Sequence, residues 1–464
     1  MKVVLAGYNI DKSLIDKYIN SPQASPEVIS AAYARISRSP KAVDVLRHEA
    51  LGEIEKARSS NQNIIFEMGH ASIAEHAVFN IDIIGISRYL TEHIQRSRLA
   101  SFTEKSQRYV TFQNDFIVPA ELSNEHRNEY IDIMHSLFSA YQKSIEQLKQ
   151  RLQVDFPDLQ SRELDTIAKE DARYILPLCT KTQLGMTINA RNLEVLLRRL
   201  SKLDLDEAKQ LHKYLYDSVI DISPSLLRYV EEKPRKQICL KHIQNINKTG
   251  TRRSVSLIGY DCSPDDRIVS AIIHESTNLS YVDALTYASN MSPRQKRHFW
   301  SELFSETNYW DKMPRAFELS SFTFELIMSQ CCWAQFKRHR MCTLLKKNNF
   351  TGKSNILPPN VLNYIGKEQW KPLFRKIDNL VAKLNTIHPL LNNYCLTNAS
   401  PVSVVAKFNL RELYHFVRLR SDLHAQWEIR QLSDKMAGIV KLLSPYATQL
   451  LMGKSEFIRK IEKH

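Results

Sequence analysis

A chain of 464 residues is too long for one ordinary domain and suits two or three, and 43% hydrophobic with 25% charged residues is enough to build a real core. Only 11 residues are glycine, and no two stand in GxGxxG or GxxxxGK spacing, which excludes a Rossmann loop and a P-loop; a phosphate would have to be held by side chains. The 64 basic residues against 50 acidic ones give a formal charge of +14, which favours polyanionic partners such as nucleic acid or small phosphorylated molecules.

The first predicted element is the strand Val3–Tyr8, in a start (MKVVLAGYNIDK) whose apolar run is too short for a signal peptide. Strands follow at Ala77–Ile84, where AVFNIDI alternates, and at Gln107–Thr111. Helices with apolar residues at three- and four-residue spacing are predicted over Glu125–Leu152, Arg162–Tyr174 and Val361–Leu384. The fold class expected is α+β, helix-rich, with a small central sheet. No run approaches 18 apolar residues, so no membrane span is expected. Seven cysteines without a CxxC, two of them adjacent (Cys331, Cys332), suggest a reducing compartment and no structural zinc. The expectation is a soluble, cytoplasmic protein with no bound metal.

The pattern occurs twice. VVLAGYNIDKSLIDKYI is answered by VSLIGYDCSPDDRIVSAI, and AVFNIDIIGISRYLTEHIQRSR by LSSFTFELIMSQCCWAQFKRHR. A helical stretch opened by Asn-x-Arg closes each half, at Asn189 and at Asn409. The division expected is a first copy over 1–232, a linker over 233–253 and a second copy over 254–464. The linker carries seven Lys or Arg and no acidic residue, which reads as a solvated run, with a nucleic-acid contact as the alternative.

Polar chemistry concentrates at four places. Arg96, Arg98, Glu104, Ser106 and Arg108 lie close together, and arginine forks bind phosphate bidentately. Upstream lies His70-Ala-Ser72-Ile-Ala-Glu75-His76. In the second half Gln335, Arg338, His339 and Arg340 repeat the arginine pair. Asn409 to Arg420 reads as one helix on which these two residues, eleven apart, share a face, with His424 one turn beyond. Asn409 also suits a helix cap.

RSRLASFTEKSQRY resembles the RHRxxSxNExSxRY signature of the flavin-dependent thymidylate synthases. HASIAEH resembles that family's flavin-contacting segment, and NLRELYHFVRLRSDLHAQWEI is similar to its C-terminal motif. The resemblance covers both halves, so the chain is identified as two fused, divergent copies of that fold. Each copy departs from the pattern. In the first, Ser97 replaces the signature His, Thr103 its Asn, His93 a glutamine, and Leu200 and Asp204 stand where the C-terminal Arg and His belong. In the second, Lys346, Asn348 and Phe350 replace Glu, Ser and Arg, Lys312 lies at the flavin His, and Asn393 stands where the first copy has Arg173.

The losses are complementary. The resemblance implies that a nucleotide site takes Glu104, Ser106, Arg108 and Arg173 from the first copy, and Gln335, Arg338 and Arg420 from the second. It implies flavin contacts from His70, Ser72 and Glu75, and from Arg338, His339, Arg340, Asn409, Arg411, His415 and His424; His415 stands where the family has Asn. One composite site between the copies would keep all its parts. The implied reaction is methylation of dUMP to dTMP, with FAD as cofactor, NADPH and methylenetetrahydrofolate as co-substrates, and Arg420 as the catalytic group. A homodimer of fused copies would then mimic the family's tetramer. The alternatives are a flavin- or nucleotide-binding protein without turnover, or a flavin enzyme acting on another pyrimidine nucleotide or on RNA uridine.

Overall fold

The computed structural model describes residues 1–10, 25–36, 39–231, 253–347 and 354–461. Most of the expected linker, 233–252, lies outside the described residues, as do Asn348 and Phe350. The chain forms two compact units: Met1–Gln244 with Tyr364–Thr397, and Asn245–Asn363 with Asn398–His464. Among the described residues no helix is long and apolar enough to cross a membrane.

The first unit is built on a four-stranded antiparallel sheet of order β1-β2-β4-β3, formed by β1 (Lys2–Tyr8), β2 (Val78–Ser87), β3 (Ala100–Glu104) and β4 (Lys181–Asn189). In β4 the residues alternate strictly, so Thr182, Leu184, Met186 and Ile188 are buried and their neighbours face out. The expected strand at Gln107–Thr111 is not one. The Ser106 hydroxyl accepts from the Arg108 N–H at 3.1 Å and the Ser106 carbonyl from the Val110 N–H at 3.2 Å. That local serine turn bends the chain away, and pairing ends at Glu104. The helix expected over Arg162–Tyr174 runs Ser161–Ala172 and tightens into a 3-10 turn over Arg173–Ile175.

The second unit repeats the design with β5 (Val255–Tyr260), β6 (Ser321–Ser329), β7 (Thr343–Lys346) and β8 (Pro401–Asn409), in the order β5-β6-β8-β7. Phe322, Phe324, Leu326, Val404, Ala406 and Phe408 form its core face, each removing apolar surface worth about 25 cal/mol per Å² from water. The two sheets match in detail. Both first strands carry a bulge, between Leu5 and Gly7 and between Leu257 and Gly259. Both second strands end in a serine that caps the next helix, and both serines are clasped by a glutamate. Glu207 accepts from Ser87 N–H at 2.6 Å and from its hydroxyl at 2.7 Å. Glu428 accepts from Ser329 N–H at 2.7 Å and from its hydroxyl. Each clasp ties a strand end to a helix far along the chain, Asp206–Val219 or Trp427–Leu443.

One difference shifts the alignment of the copies. β2 has a bulge between Ile84 and Ile86, where Gly85 sits at φ +75°, and β6 has none. Upstream of it the register pairs Val78 with Asn189 and Ser321 with Asn409, so His70 corresponds to Met313, not Lys312. Glu75 then corresponds to Glu318. Each of these carboxylates binds the Asn-x-Arg arginine of its own copy: Glu75 with Arg191, and Glu318 with Arg411 at 2.9 Å.

The segment Tyr364–Thr397 belongs to the second copy by sequence and packs within the first unit. Its predicted helix opens as a π turn over Val361–Ile365, breaks at Gly366 (φ +83°) and runs Lys367–Ile387. It lies along the helix Asn124–Asp155, where Trp370 Nε1–H donates to Ser144 Oγ at 3.2 Å and Lys383 pairs with Glu129 at 2.8 Å. Beyond it, Pro177 bridges Thr397, and Leu178 N–H donates to Leu396 O at 2.7 Å. Pro177 and Thr397 occupy the same place before β4 and β8, so like segments of the two copies pair here.

Candidate functional site

The candidate residues fall into two groups in each unit. In the first unit, Glu104 ends β3 with its side chain only 5% exposed. Its carboxylate takes Arg88 at 3.0 Å, Gln95 Nε2–H at 2.8 Å and the Thr182 hydroxyl at 3.3 Å. Just past the strand, the serine turn aims Arg108 at Glu170, with which it forms an ion pair. Arg173, buried in the 3-10 turn, donates from Nε to the Glu170 carbonyl at 3.1 Å. Arg108 and Arg173 thus converge on one residue, Glu170, which the sequence reading missed. Its position three residues before Arg173 on a helix was the available signal.

Ser72 and Glu75 lie in a 3-10 turn over Ala71–His76, and His70, exposed, is the residue immediately before it. Gly69 at φ +77° turns the chain into it.

In the second unit, Asn409 caps the helix Leu410–Arg420, its Oδ1 accepting from the Glu412 N–H at 2.8 Å. At the other end of that helix Arg420 reaches the signature segment. Its Nε–H donates to His339 Nε2 at 2.9 Å and its Nη2–H to the Gln335 carbonyl at 3.5 Å. The His339 ring is buried between Phe416, at 4.8 Å between centroids, and His415, at 5.8 Å. Burial first, then the charge of Arg420 and the neighbouring His415, hold the His339 pKa well below its ordinary value. His339 is therefore neutral at pH 7. Because Nε2 accepts from Arg420, its proton is on Nδ1, 3.7 Å from Glu412 Oε1.

Arg338 is exposed and Arg340 half-exposed on the turn after the helix Gln330–Phe336. Arg411 lies at the other end of its helix from Arg420, donating to the Met313 carbonyl at 2.7 Å and pairing with Glu318. His424 is not one helical turn beyond Arg420. The helix stops at Arg420 because Asp422 is tied to Ser455, by N–H at 2.9 Å and hydroxyl at 2.7 Å. The Ser421 carbonyl also packs so tightly on Gly453 that a Cβ there would lie 2.5 Å from it. His424 sits in the turn that follows, its N–H on Asp422 Oδ1 at 3.2 Å.

The copies also differ by a coupled exchange. Glu104 stands opposite Leu184, five residues before Asn189; Lys346 stands opposite Val404, five before Asn409. The partner changes too: Arg88, the residue after Ser87, becomes Gln330, the residue after Ser329. Lys346 Nζ donates to Gln330 Oε1 at 3.4 Å and lies over the Trp333 ring. An arginine at 330 would have faced a lysine, so the two changes belong together.

The Gln335 Nε2 and His339 Nδ1 donors are buried and make no hydrogen bond. His339 Nδ1 faces the Glu412 carboxylate at 3.7 Å, whereas Gln335 Nε2, on the residue whose carbonyl meets the Arg420 guanidinium, is a donor that an acceptor-rich group would satisfy. Cys331, Cys332 and Cys342 are buried around this segment, and the Cys342 thiol donates to the His339 carbonyl at 2.9 Å. They pack the turn and do not face the cluster as nucleophiles.

The family model described as thymidylate synthase complementing protein matches residues 17–225 and again 256–446. The chain belongs to this family, that of the flavin-dependent thymidylate synthases, and carries its domain twice. A flavin-dependent thymidylate synthase from Clostridium tetani is 31% identical over 209 residues, 44% of this chain and 82% of that relative. A protein from Thermoplasma acidophilum, described as a UPF0159 protein, is 22% identical over 471 residues, 90% of this chain and 92% of its own length. Among solved structures, the Helicobacter pylori flavin-dependent thymidylate synthase complexed with FAD and dUMP is 19% identical with a TM-score of 0.32, covering 49% of this chain and all of that one.

Proposed function

We propose that the chain is an active FAD-dependent thymidylate synthase, which converts dUMP, methylenetetrahydrofolate and NADPH to dTMP, tetrahydrofolate and NADP. The observation that carries this reading is the sorting of the losses. The first copy keeps Glu104, Ser106, Arg108 and Arg173, whose second-copy counterparts are lost; the second keeps Gln335 and Arg420, which the first replaces with His93 and Leu200, while the arginine at Arg338 survives in both, as Arg96 in the first. Independent decay of two idle copies would not sort in this way.

In this reading Arg108 and Arg173 bind the phosphate of dUMP, exchanging the Glu170 contact for a charge-assisted one. Glu104 holds Arg88 and Gln95 and so fixes the strand end from which Ser106 and Arg108 project. Gln335 and Arg338 meet the nucleotide from the second copy. Arg420, oriented by neutral His339, stabilises the negative charge that develops on the uracil ring as C5 becomes nucleophilic. FAD, reduced by NADPH, supplies the hydride when bound; His70, Ser72, Glu75, Arg340, Asn409, Arg411, His415 and His424 are the residues proposed to hold it. Two such chains associate as a homodimer.

The test is purification followed by tritium release from 5-labelled dUMP. A yellow protein that releases tritium only with folate and NADPH supports the proposal. Retained flavin without tritium release overturns it in favour of a binding protein.

A further inference from the structure

The first copy carries Leu200 where the C-terminal arginine belongs, and Leu200 is fully buried. Its neighbour Arg199 does what Arg420 does in the second copy. Arg199 Nη1–H donates to the His93 carbonyl at 2.8 Å and to the Ser97 hydroxyl at 3.3 Å. Arg420 donates to the Gln335 carbonyl and to the His339 side chain. His93 and Gln335 each lie six residues past the capping serine, and Ser97 and His339 each lie ten past it. The same carbonyl and the same side-chain position are therefore engaged by an arginine from one helix position earlier.

The charge around the two arginines differs. Glu412, the carboxylate beside His339, has Asn192 as its counterpart. Among the described residues neither Arg199 nor Arg96 forms an ion pair, and Arg96 is exposed. Burial first, and then the charge of Arg96, push the Arg199 pKa down to about 10. Two neighbouring guanidinium groups without a carboxylate are an unbalanced cation that an anion would relieve. Ser97 accepts from Arg199, which leaves its own O–H to donate to a ligand.

We propose that Arg96, Ser97 and Arg199 form a second anion site, made wholly of first-copy residues, that binds a phosphate-bearing ligand. The inference holds whether or not the chain turns over dUMP. It predicts that the degenerate side of the pair still binds ligand.

Calorimetric titration of the full chain with inorganic phosphate, dUMP and FAD tests it, in an Arg108→Ala/Arg173→Ala background that removes the phosphate contacts proposed for dUMP at the other site, the binding that depends on Arg96 being read as this site's. Arg96→Ala and Arg199→Ala should each weaken the remaining binding about tenfold or more, and Arg199→Lys by less. Tightest binding of dUMP, of FAD or of bare phosphate assigns the source as nucleotide, flavin or free anion, each within the proposal. No binding of any of the three overturns it, as does unchanged affinity in Arg96→Ala. Position 96 is exposed, so that variant keeps the test valid if Arg199→Ala fails to fold. Loss of tritium release without loss of this binding would count against the activity and not against the site.

Discussion

Replacing Arg420 with alanine removes three things at once. The first is a donor 2.9 Å from His339 Nε2, the second a weaker donor to the Gln335 carbonyl at 3.5 Å, and the third the positive charge proposed to face the uracil ring. The first two set the structural cost. Hydrogen bonds from a half-buried guanidinium such as these contribute about 1–3 kcal/mol, not enough to unfold a domain with this core. The third sets the catalytic cost. Removing a preorganised donor from developing negative charge lowers kcat about 10²–10³-fold, or about 2.7–4 kcal/mol. The variant should therefore fold, keep its flavin, and release tritium from 5-labelled dUMP at least about a hundredfold more slowly at saturating substrate. Arg420→Lys should recover little, because an ammonium cannot span the histidine nitrogen and the ligand as a fork does. Turnover by Arg420→Ala within threefold of wild type, with a normal thermal midpoint, would refute the assignment of this residue and of the second-copy half-site.

Three further predictions follow from the contacts. His339 stays neutral in the folded chain while an unfolded histidine protonates below about pH 6.5, so the unfolded state binds the extra proton and stability falls as pH drops through that value; denaturation from pH 7.5 to 5.5 should show this slope, reduced in His339→Gln. Glu104→Lys places a lysine against Arg88 in a buried pair and should cost about 3–5 kcal/mol; adding Arg88→Gln, which copies the Gln330–Lys346 pair, should return at least half of that in denaturant midpoints. Ser87→Ala and Ser329→Ala each remove a helix cap and a glutamate contact, and should lower stability by similar amounts, about 1–2 kcal/mol, in separate melts.

The duplication was legible in the sequence because short motifs survive where chemistry or capping holds them. Asn189 and Asn409 both cap their helices, as the Asn-x-Arg pattern suggests. What the sequence hides is backbone geometry. A serine side chain that accepts from the N–H two residues on turns the apparent strand Gln107–Thr111 into a bend. One glycine at positive φ adds a residue to β2, and a motif alignment without that bulge slips to Lys312 where the register requires Met313. The end of the helix at Arg420, which moves His424 off its axis, depends on a close approach of Gly453 from thirty-odd residues away, and no local pattern carries that. Glu170 was missed for a similar reason: its importance lies in the two arginines that meet it.

Arg199 changes what complementary loss means for this chain. Counting aligned positions, the first copy has lost its C-terminal arginine; counting contacts, it has kept one, moved by a single residue along the helix. A helix advances about 100° per residue, so such a move survives only if the long side chain can swing back to the same carbonyl. An idle surface would have no reason to retain an arginine that is partly withdrawn from water beside another cation. What the first copy lacks is the histidine that accepts from the guanidinium and the carboxylate beside that histidine, the parts that fix orientation. Positive charge without that orienting pair suits holding an anion and does not suit directing charge onto a ring. On the proposed reading the two copies divide the work along a physical line, precise orientation in the second and electrostatic attraction in the first.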